Sequence, residues 1–202
     1  TLALQWYRKS ADAGNENGLY SMGLMYESGT KLITQDLSNA ESCYTLSAKK
    51  GNSSAQNNLG VMYRNGEGVQ KDASRAFQLF ASSARSGNRF GQLNLGECYE
   101  LGFGTEKNPV EAARWYAASA GQNNPEALYR IGMCYFEGTG VEKDVSKSIS
   151  FISRAAAAGN DRALLFFAIT YEKLGEAEKA QKYYRFAADA GNAYAKEKCG
   201  EH

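Results

Sequence analysis

The sequence predicts an all-α fold in which antiparallel helix pairs stack on one another as an α-solenoid. A glycine-rich turn motif and a Gly-Asn pair recur along the chain at nearly constant spacing. Between them, apolar residues recur with the period of an amphipathic helix. No segment shows sustained alternation of apolar and polar residues, so no strand is predicted. Paired helices at a fixed period are typical of solenoids, in which each unit buries its apolar face on its neighbours.

The turn motif occurs four times, each time directly after a tyrosine. Its copies begin at Tyr26 (YESGTKLITQD), Tyr63 (YRNGEGVQKD), Tyr99 (YELGFGTEKN) and Tyr135 (YFEGTGVEKD). A Gly-x-Gly beside a lysine also suggests a phosphate-binding loop, but such a loop follows a strand and ends in Gly-Lys-Ser/Thr. This motif lies between two helical patterns and lacks that ending. We therefore interpret it as the turn between the two helices of a pair.

The Gly-Asn pair marks the boundaries of the repeat units. It occurs at 14–15, 51–52, 87–88, 159–160 and 191–192, and Asn123-Asn124 stands where the register requires another pair. The resulting steps are 37, 36, 36, 36 and 32 residues. Asparagine is the non-glycine residue that best tolerates a positive φ. We therefore predict that the first residue of each pair, Asn123 included, ends a helix in the left-handed conformation.

The first helix of each unit ends at the tyrosine and carries small residues along one face. Glycine or alanine stands eight positions before the tyrosine, and again three positions before it, at Gly23, Gly60, Gly96, Gly132 and Ala168. Glycine costs about 1 kcal/mol in a helix relative to alanine, so its recurrence requires a reason. We predict that a neighbouring helix approaches closely at these positions.

The second helix of each unit carries an apolar stripe at positions i, i+3, i+4, i+7 and i+8. A typical stripe is Ala112, Trp115, Tyr116, Ser119 and Ala120. A large residue occupies the i+4 position in every unit, at Tyr7, Tyr44, Phe80, Tyr116, Ile152 and Tyr184. This spacing predicts an amphipathic helix with one buried face.

Together these residues follow the pattern Ala-x3-Leu-Gly-x2-Tyr-x2-Gly-x-Gly-Val…Asp-x3-Ala-x2-Trp-Tyr-x2-Ala-Ala-x2-Gly-Asn. The pattern resembles the Sel-one-like repeat (SLR), a longer relative of the tetratricopeptide repeat, over essentially the whole chain. The resemblance implies a right-handed superhelix that forms a single domain over residues 1–202. Units are expected at about 16–52, 53–88, 89–124, 125–160 and 161–192. The unit at 161–192 departs from the pattern, because its shorter loop, EKLGEAEKA, resembles an ordinary tetratricopeptide turn.

The two ends of the chain are incomplete repeats. Residues 1–15 are expected to be the second helix of a preceding unit, and 193–202 the start of a further helix. Each would leave an apolar face uncovered. We expect the chain to be a fragment of a longer array, with self-association through the open ends as the alternative.

Composition and charge exclude several kinds of partner. The formal net charge is +1, from 23 lysines and arginines against 22 aspartates and glutamates. A nucleic-acid-binding protein usually shows a strongly basic surface, so no nucleic-acid partner is predicted. No apolar run approaches the roughly 20 residues needed to cross a bilayer, so no membrane insertion is predicted.

The residues needed for most catalytic and metal sites are scarce. The single histidine is His202, at the terminus, and the four cysteines have spacings unlike any zinc pattern. Cys98 and Cys134 occupy equivalent core-facing positions, and we expect buried free thiols. The sequence therefore predicts no catalytic residues, no metal site, no cofactor and no enzymatic activity.

The expected binding surface is the concave face, which the first helices line in solenoids of this type. Its positions are carried over from the tetratricopeptide groove. We expect Asn57, Asn58 and Arg64 to offer donors to a partner's carboxylates or backbone. An apolar stretch for anchor side chains and one acidic position complete the predicted site, at Phe90, Leu93, Tyr129, Met133 and Phe136, and at Glu97. Leu93 and Tyr129 have an alternative role in packing between adjacent first helices.

These features predict a non-enzymatic protein–protein interaction scaffold or adaptor that binds a protein or peptide segment on its concave face. Two alternatives stay open. The first is an inhibitory or immunity-type partner that covers an enzyme. The second is a cell-wall-associated, hydrolase-like factor of the cysteine-rich SLR type, although those relatives carry a cysteine pair in each repeat and this chain does not.

Overall fold

The computed structural model describes residues 2–30 and 33–200. His202, named above as the single histidine, lies outside the described residues, as do Thr1, Lys31, Leu32 and Glu201. Within the described ranges the chain forms twelve helices and no strand beyond one isolated bridge between Thr30 and Ile33. The predicted all-α fold is confirmed.

The helices alternate between the two types that the sequence predicts. The first helices of the pairs are α2 (Glu16–Ser28), α4 (Ser53–Asn65), α6 (Arg89–Leu101), α8 (Pro125–Glu137), α10 (Asp161–Lys173) and α12 (Ala193–Cys199). The second helices are α1 (Leu2–Asp12), α3 (Leu37–Lys49), α5 (Ala73–Arg85), α7 (Pro109–Gly121), α9 (Val145–Ala157) and α11 (Ala177–Asp189).

The chain divides into two compact units, Thr1–Trp115 and Tyr116–His202. In the first unit, each helix from α1 to α6 packs on the next, and α4 also contacts α6. In the second unit, each helix from α8 to α12 packs on the next. Within each unit the predicted stacking of helix pairs is therefore confirmed.

The Gly-Asn pairs end one helix and begin the next. Gly14, Gly51, Gly87, Gly159 and Gly191 all have positive φ, and Asn123, with φ 55°, is the non-glycine residue with positive φ among those described. This confirms the prediction that Asn123 replaces glycine in a left-handed cap. The second residue of each pair is the N-cap of a first helix, and its side-chain oxygen accepts from backbone N–H groups of the first turn.

The same asparagines also tie successive first helices together. The Asn52 amide nitrogen donates to Asn17 at 3.0 Å, and that of Asn88 donates to Ser54 at 3.3 Å. In the second unit, Asn192 donates to Asp161 at 2.9 Å. These three asparagines therefore use their oxygen within their own helix and their nitrogen on the preceding first helix.

The glycine-rich motif is a turn, as predicted. In the copy after Tyr63, Gly66 ends α4 in the left-handed conformation with φ 79°, and the Asp72 carboxylate caps α5 by accepting from the Arg75 N–H. The Asp72 N–H donates to the Tyr63 carbonyl at 3.0 Å and closes the turn. Equivalent backbone bonds close the copies after Tyr26, Tyr99 and Tyr135.

The small residues three positions before the repeat tyrosine allow close contact with the second helix. A Cβ added to Gly60 would lie 2.7 Å from a ring carbon of the fully buried Phe80. One added to Gly132 would lie 2.6 Å from Ile152, and Gly23 faces the Tyr44 ring in the same way. The predicted close approach is confirmed at these three positions.

The four cysteines are free thiols, as expected. Cys98 and Cys134 are buried, whereas Cys43 and Cys199 are half-buried. Burial raises the pKa of the Cys98 thiol to about 12. A thiol with such a pKa stays protonated and therefore behaves as a small apolar side chain near neutral pH.

We predict that Gly60→Ala destabilises the protein, although alanine is the better helix former. The added methyl group collides with Phe80, so the free energy of unfolding should fall by about 1–3 kcal/mol. Gly121→Ala is the matched control, because a Cβ at this helical glycine meets no atom within 4 Å. It should be neutral or stabilising by up to about 1 kcal/mol. Urea denaturation measures both, and an unchanged stability for Gly60→Ala would contradict the close contact.

A second prediction concerns Ser148, whose buried hydroxyl has no hydrogen-bond partner among the described residues. The equivalent positions hold Ala40, Ala76 and Ala180, all buried. Ser148→Ala should therefore raise the free energy of unfolding by about 1 kcal/mol, because it removes an unsatisfied buried group.

Ser83→Ala is the matched control for that change. Ser83 is also fully buried, but its hydroxyl donates to the Ser53 carbonyl at 2.7 Å. Its removal should lower the free energy of unfolding by about 1 kcal/mol. Thermal and urea denaturation give both values, and shifts of the same sign would contradict the assignment.

Candidate functional site

A chain of polar side chains links α4 to α6 on the first-helix face of the first unit. The Asn94 amide nitrogen donates to the Asn57 oxygen at 2.8 Å, and Arg64 Nη1 donates to the Asn94 oxygen at 2.9 Å. The same Nη1 lies 3.2 Å from Glu97 Oε2, in a salt bridge. We call these four residues, Asn57, Asn94, Arg64 and Glu97, the α4–α6 network.

Partial burial and a neighbouring aromatic ring strengthen the ion pair and hydrogen bonds of the α4–α6 network. The side chains of Arg64 and Glu97 are 33% and 24% exposed, so their ion pair is partly shielded from water. The guanidinium carbon of Arg64 lies 5.5 Å from the centre of the Phe80 ring, within the range of a cation–π contact. Asn57 and Asn94 are buried. These contacts hold the polar part of the face in one arrangement.

Asn58 extends the polar chain to α3 and α2. It accepts from the Asn57 amide and donates to the Tyr44 hydroxyl, both at 3.3 Å. Tyr44 in turn donates to Glu27 Oε2 at 2.6 Å. Burial, together with this hydrogen bond to a carboxylate, raises the pKa of Tyr44. Asn57, Asn58 and Arg64, which the sequence predicts to donate to a partner, thus form hydrogen bonds within the chain. Their roles in partner binding stay predictions.

Phe90 is the exposed aromatic residue of the first unit's first-helix face. It follows the cap residue Asn88 at the start of α6, and 49% of it is exposed. The Arg89 guanidinium carbon lies 4.9 Å from the centre of its ring. Leu93, one turn further along α6, is half-buried. The apolar surface of this unit is therefore an exposed ring followed by a partly covered leucine.

The other three predicted apolar residues lie on α8, in the second unit. Tyr129 and Met133 are half-buried, and Phe136 is 39% exposed. The Phe136 ring packs edge-on against the Phe166 ring of α10, with the centres 5.6 Å apart. Lys143 Nζ lies 5.9 Å from the centre of the Phe136 ring. Phe136 and Phe166 together form an aromatic patch on the first-helix face of this unit.

Glu126 organises the charged part of the same face. Its Oε1 accepts from Arg130 Nε and from Arg162 Nη1, each at 2.8 Å, and its Oε2 accepts from the Asn160 amide at 3.1 Å. Tyr129 lies among these charges, and burial raises the pKa of its hydroxyl. One carboxylate thus holds two arginines and a cap asparagine across α8 and α10.

Sequence reasoning did not single out the pair of Glu126 and Arg162 or the central place of Asn94. The repeat period was a signal for the charged pair, because Glu126 and Arg162 carry opposite charges at equivalent positions of neighbouring units, 36 residues apart. Asn57 and Asn94 are 37 residues apart, one residue out of that register, so the period alone does not pair them. Because equivalent positions on successive first helices face each other, complementary side chains one period apart are expected to bond.

A separate groove lies between α3 and α5, with α4 as its floor, and its volume is 410 Å³. Arg75 Nη1 donates to the Tyr63 hydroxyl at 2.7 Å, and Thr45 donates to Glu41 at 2.9 Å. Its lining groups therefore mostly bond one another. The Gln56 Oε1 atom of its floor is buried without a partner among the described residues.

Within residues 2–30 and 33–200, no three His, Cys, Asp or Glu side chains group closely enough to hold a metal ion. None of the helices described above is both long and apolar enough to cross a membrane.

The α4–α6 network predicts coupled effects on stability. Asn57→Ala and Asn94→Ala should each lower the free energy of unfolding by about 1–3 kcal/mol, because each leaves a buried partner unsatisfied. The double variant should lose less than the sum of the two. Asn65→Ala, at an exposed position of α4, is the control and should change stability by less than about 0.5 kcal/mol. Strict additivity in urea denaturation would contradict the network.

Comparison with known proteins places this architecture in a family. The Sel1 repeat family model matches residues 1–15, 17–52, 53–88, 90–124, 125–160 and 176–192. No curated protein sequence matches the chain significantly.

Several solved structures are similar. A protective antigen of uropathogenic Escherichia coli with an SLR fold is 31% identical, with a TM-score of 0.84. The alignment covers 98% of this chain but only 43% of the antigen's chain. A Sel1 repeat protein from Oxalobacter formigenes is 29% identical, with a TM-score of 0.85, over 92% of this chain and 75% of that one.

A more distant match is an immunity protein from Pseudomonas aeruginosa, which is 22% identical with a TM-score of 0.62. That alignment covers 89% of this chain and 67% of the immunity protein, and it shows a shared fold. The family model matches well over half of the residues, and the repeat turns, caps and close helix contacts follow its pattern. The chain belongs to the Sel1 repeat family.

Proposed function

We propose that this chain is a non-enzymatic interaction scaffold that binds a segment of a partner protein on its first-helix, concave face. Proteins of the Sel1 repeat family generally mediate protein–protein interactions. The observation that carries the proposal is an exposed phenylalanine on the first-helix face of each unit, Phe90 in one and Phe136 in the other. Each ring lies beside a cationic side chain, Arg89 or Lys143.

Aromatic residues in these positions favour partner binding energetically. Covering a half-exposed phenylalanine side chain contributes on the order of 1–2 kcal/mol, a large share of the affinity for a short segment. Aromatic residues are also enriched among the positions that dominate interface energies. An exposed ring on a face otherwise held by internal hydrogen bonds is therefore a suitable anchor.

The α4–α6 network supports the proposal by fixing the face in advance. Side chains that are already ordered lose little freedom when a partner binds, so less of the contact energy is spent on ordering them. Arg64 uses only Nη1 in its bonds to Asn94 and Glu97, and a guanidinium has five N–H donors. Arg64 therefore keeps donors for a partner, which is the role that the sequence assigned to it.

An inhibitory, immunity-type function is the second candidate, supported by the fold shared with the Pseudomonas aeruginosa immunity protein. A folded enzyme would need a broader contact area than a peptide segment. The second helices offer some apolar surface for this, because Val145 and Ile149 lie one turn apart on α9 and are about half exposed. A hydrolase-like role of the cysteine-rich type is less well supported, because the cysteines of this chain are free.

Site-specific photocrosslinking tests both candidates. We predict that a photoreactive phenylalanine analogue placed at Phe90 or Phe136 captures a partner from the native extract. The same analogue at Phe186, a similarly exposed phenylalanine on the second helix α11, should not. Phe136→Ala should weaken capture of that partner by about tenfold, with only the small decrease in melting temperature expected from losing the contact with Phe166.

Peptide mapping of the crosslinked product separates the two candidates. Crosslinks confined to one short linear segment favour the scaffold function, and crosslinks from the α9 surface to a folded enzyme favour the inhibitory one. Equal capture from Phe136 and Phe186, or no effect of Phe136→Ala, would contradict the assignment to the first-helix face.

A further inference from the structure

Arg162 is held in place on the first-helix face of the second unit but keeps most of its hydrogen-bonding capacity. It is the second residue of α10, and its side chain is 51% exposed. Its Nη1 donates to Glu126 Oε1 at 2.8 Å, which fixes the direction of the guanidinium. Only this one of its five N–H donors bonds within the described residues. A guanidinium in this state is suited to bind a carboxylate through two parallel hydrogen bonds.

The acidic groups beside Arg162 do not favour a cationic ligand. Both oxygens of Glu126 already accept hydrogen bonds, from Arg130, Arg162 and Asn160. Asp161, the preceding residue, accepts from the Asn192 amide at 2.9 Å. A partner's cation would have to displace these donors, whereas a partner's anion meets the exposed edge of Arg162. The two arginines balance the two carboxylates in charge, so it is the exposed donors of Arg162 that suit a partner's carboxylate.

An apolar site lies one helical turn from Arg162. Phe166 follows Arg162 by four residues, about 6 Å along the helix axis, and packs edge-on against the exposed Phe136 ring. Leu165 and Ile169 are half-buried and continue the stripe at i+3 and i+7 from Arg162. A charged donor and an aromatic surface therefore lie on the same side of α10, at a fixed separation.

We propose that the second unit binds an extended partner segment in which a carboxylate stands two or three residues from an aromatic or large aliphatic side chain. Two residues of an extended chain span about 6.6 Å, close to the separation of about 6 Å between Arg162 and Phe166. A spacing of three residues lets the apolar side chain contact the adjoining Phe136 ring as well. Arg162 binds the carboxylate, and Phe136 and Phe166 contact the apolar side chain. This inference rests on the proposed function and names the chemistry of its partner.

A peptide array tests the proposal directly. The probes are short immobilised peptides in which one Phe is kept and one Asp is moved stepwise away from it. A parallel series carries Asn in place of Asp, and another carries Ala in place of Phe. Every peptide is presented with an amidated C-terminus, and a further set without Asp carries a free terminal carboxylate. The labelled protein is applied, and Kd values of the strongest pairs are measured by fluorescence anisotropy.

We expect peptides with Asp two or three residues from Phe to bind about tenfold more tightly than their Asn counterparts. Added salt should reduce that preference, because the ion pair is solvent-exposed. A free terminal carboxylate at the same spacing from Phe should substitute for Asp if the source of the carboxylate does not matter. If it does not substitute, the ligand is an internal acidic residue.

Variants assign the two halves of the recognition. Arg162→Gln should abolish the preference for Asp over Asn and keep the preference for Phe over Ala. Phe136→Ala should weaken the preference for Phe and keep the preference for Asp. The matched controls are Arg185→Gln and Phe186→Ala, at exposed positions of the second helix α11, and neither should change binding.

Two results would overturn the inference, and they are distinguishable from failure of the proposed function. If Phe peptides bind without preference for Asp, or if Arg162→Gln keeps that preference, carboxylate recognition is wrong while the apolar binding face stands. If no peptide in the array binds, the inference is wrong, and the crosslinking at Phe90 and Phe136 then decides whether the scaffold function is wrong as well.

Discussion

The contact between a small residue of the first helix and a large buried residue of the second is the constraint on which each helix pair depends. Gly23, Gly60 and Gly132 leave no room for a Cβ, because Tyr44, Phe80 and Ile152 occupy that space. This contact fixes how deeply the two helices of a pair interlock. The turn and the caps then repeat the arrangement, so that within each unit a cap asparagine bonds the first turn of the preceding first helix.

The residue directly after the repeat tyrosine shows how one contact position acquires different functions. In two pairs the large buried residue of the second helix is a tyrosine, and the residue after the repeat tyrosine is a glutamate. The second-helix hydroxyl donates to that glutamate, from Tyr44 to Glu27 at 2.6 Å and from Tyr184 to Glu172 at 2.5 Å. Where the second helix supplies Phe80, Arg64 lies against its ring instead. Where it supplies Ile152, which offers no polar atom, the following residue is Phe136, and its ring stays exposed. The proposed binding surface thus includes a position that elsewhere stabilises the pair.

Features that recur in every unit could be predicted from the sequence, and features that depend on one pair of units could not. The left-handed cap at Asn123, the turn after Tyr63 and the close contact at Gly60 follow from local conformational rules that each repeat obeys. The bond of Arg64 to Asn94 depends on which side chains of α4 and α6 come together outside the repeat register, and on the burial of Asn57 beside them. The Ser148 hydroxyl lacks a hydrogen-bond partner among the described residues, and the only sequence pattern that indicated this was the alanine at equivalent positions.

The same reasoning explains why Arg162 differs from Arg64. Arg64 is paired with Glu97, lies over an aromatic ring and is one-third exposed, so its charge is largely balanced by the chain. Arg162 shares the single carboxylate of Glu126 with Arg130, has no cation–π contact among the described residues and is half exposed. A repeat face that satisfies all its own donors has little to offer a partner. Recognition should therefore depend on residues such as Arg162 and Phe136, which depart from the pattern of their neighbours, whereas the repeated residues determine where those departures are displayed.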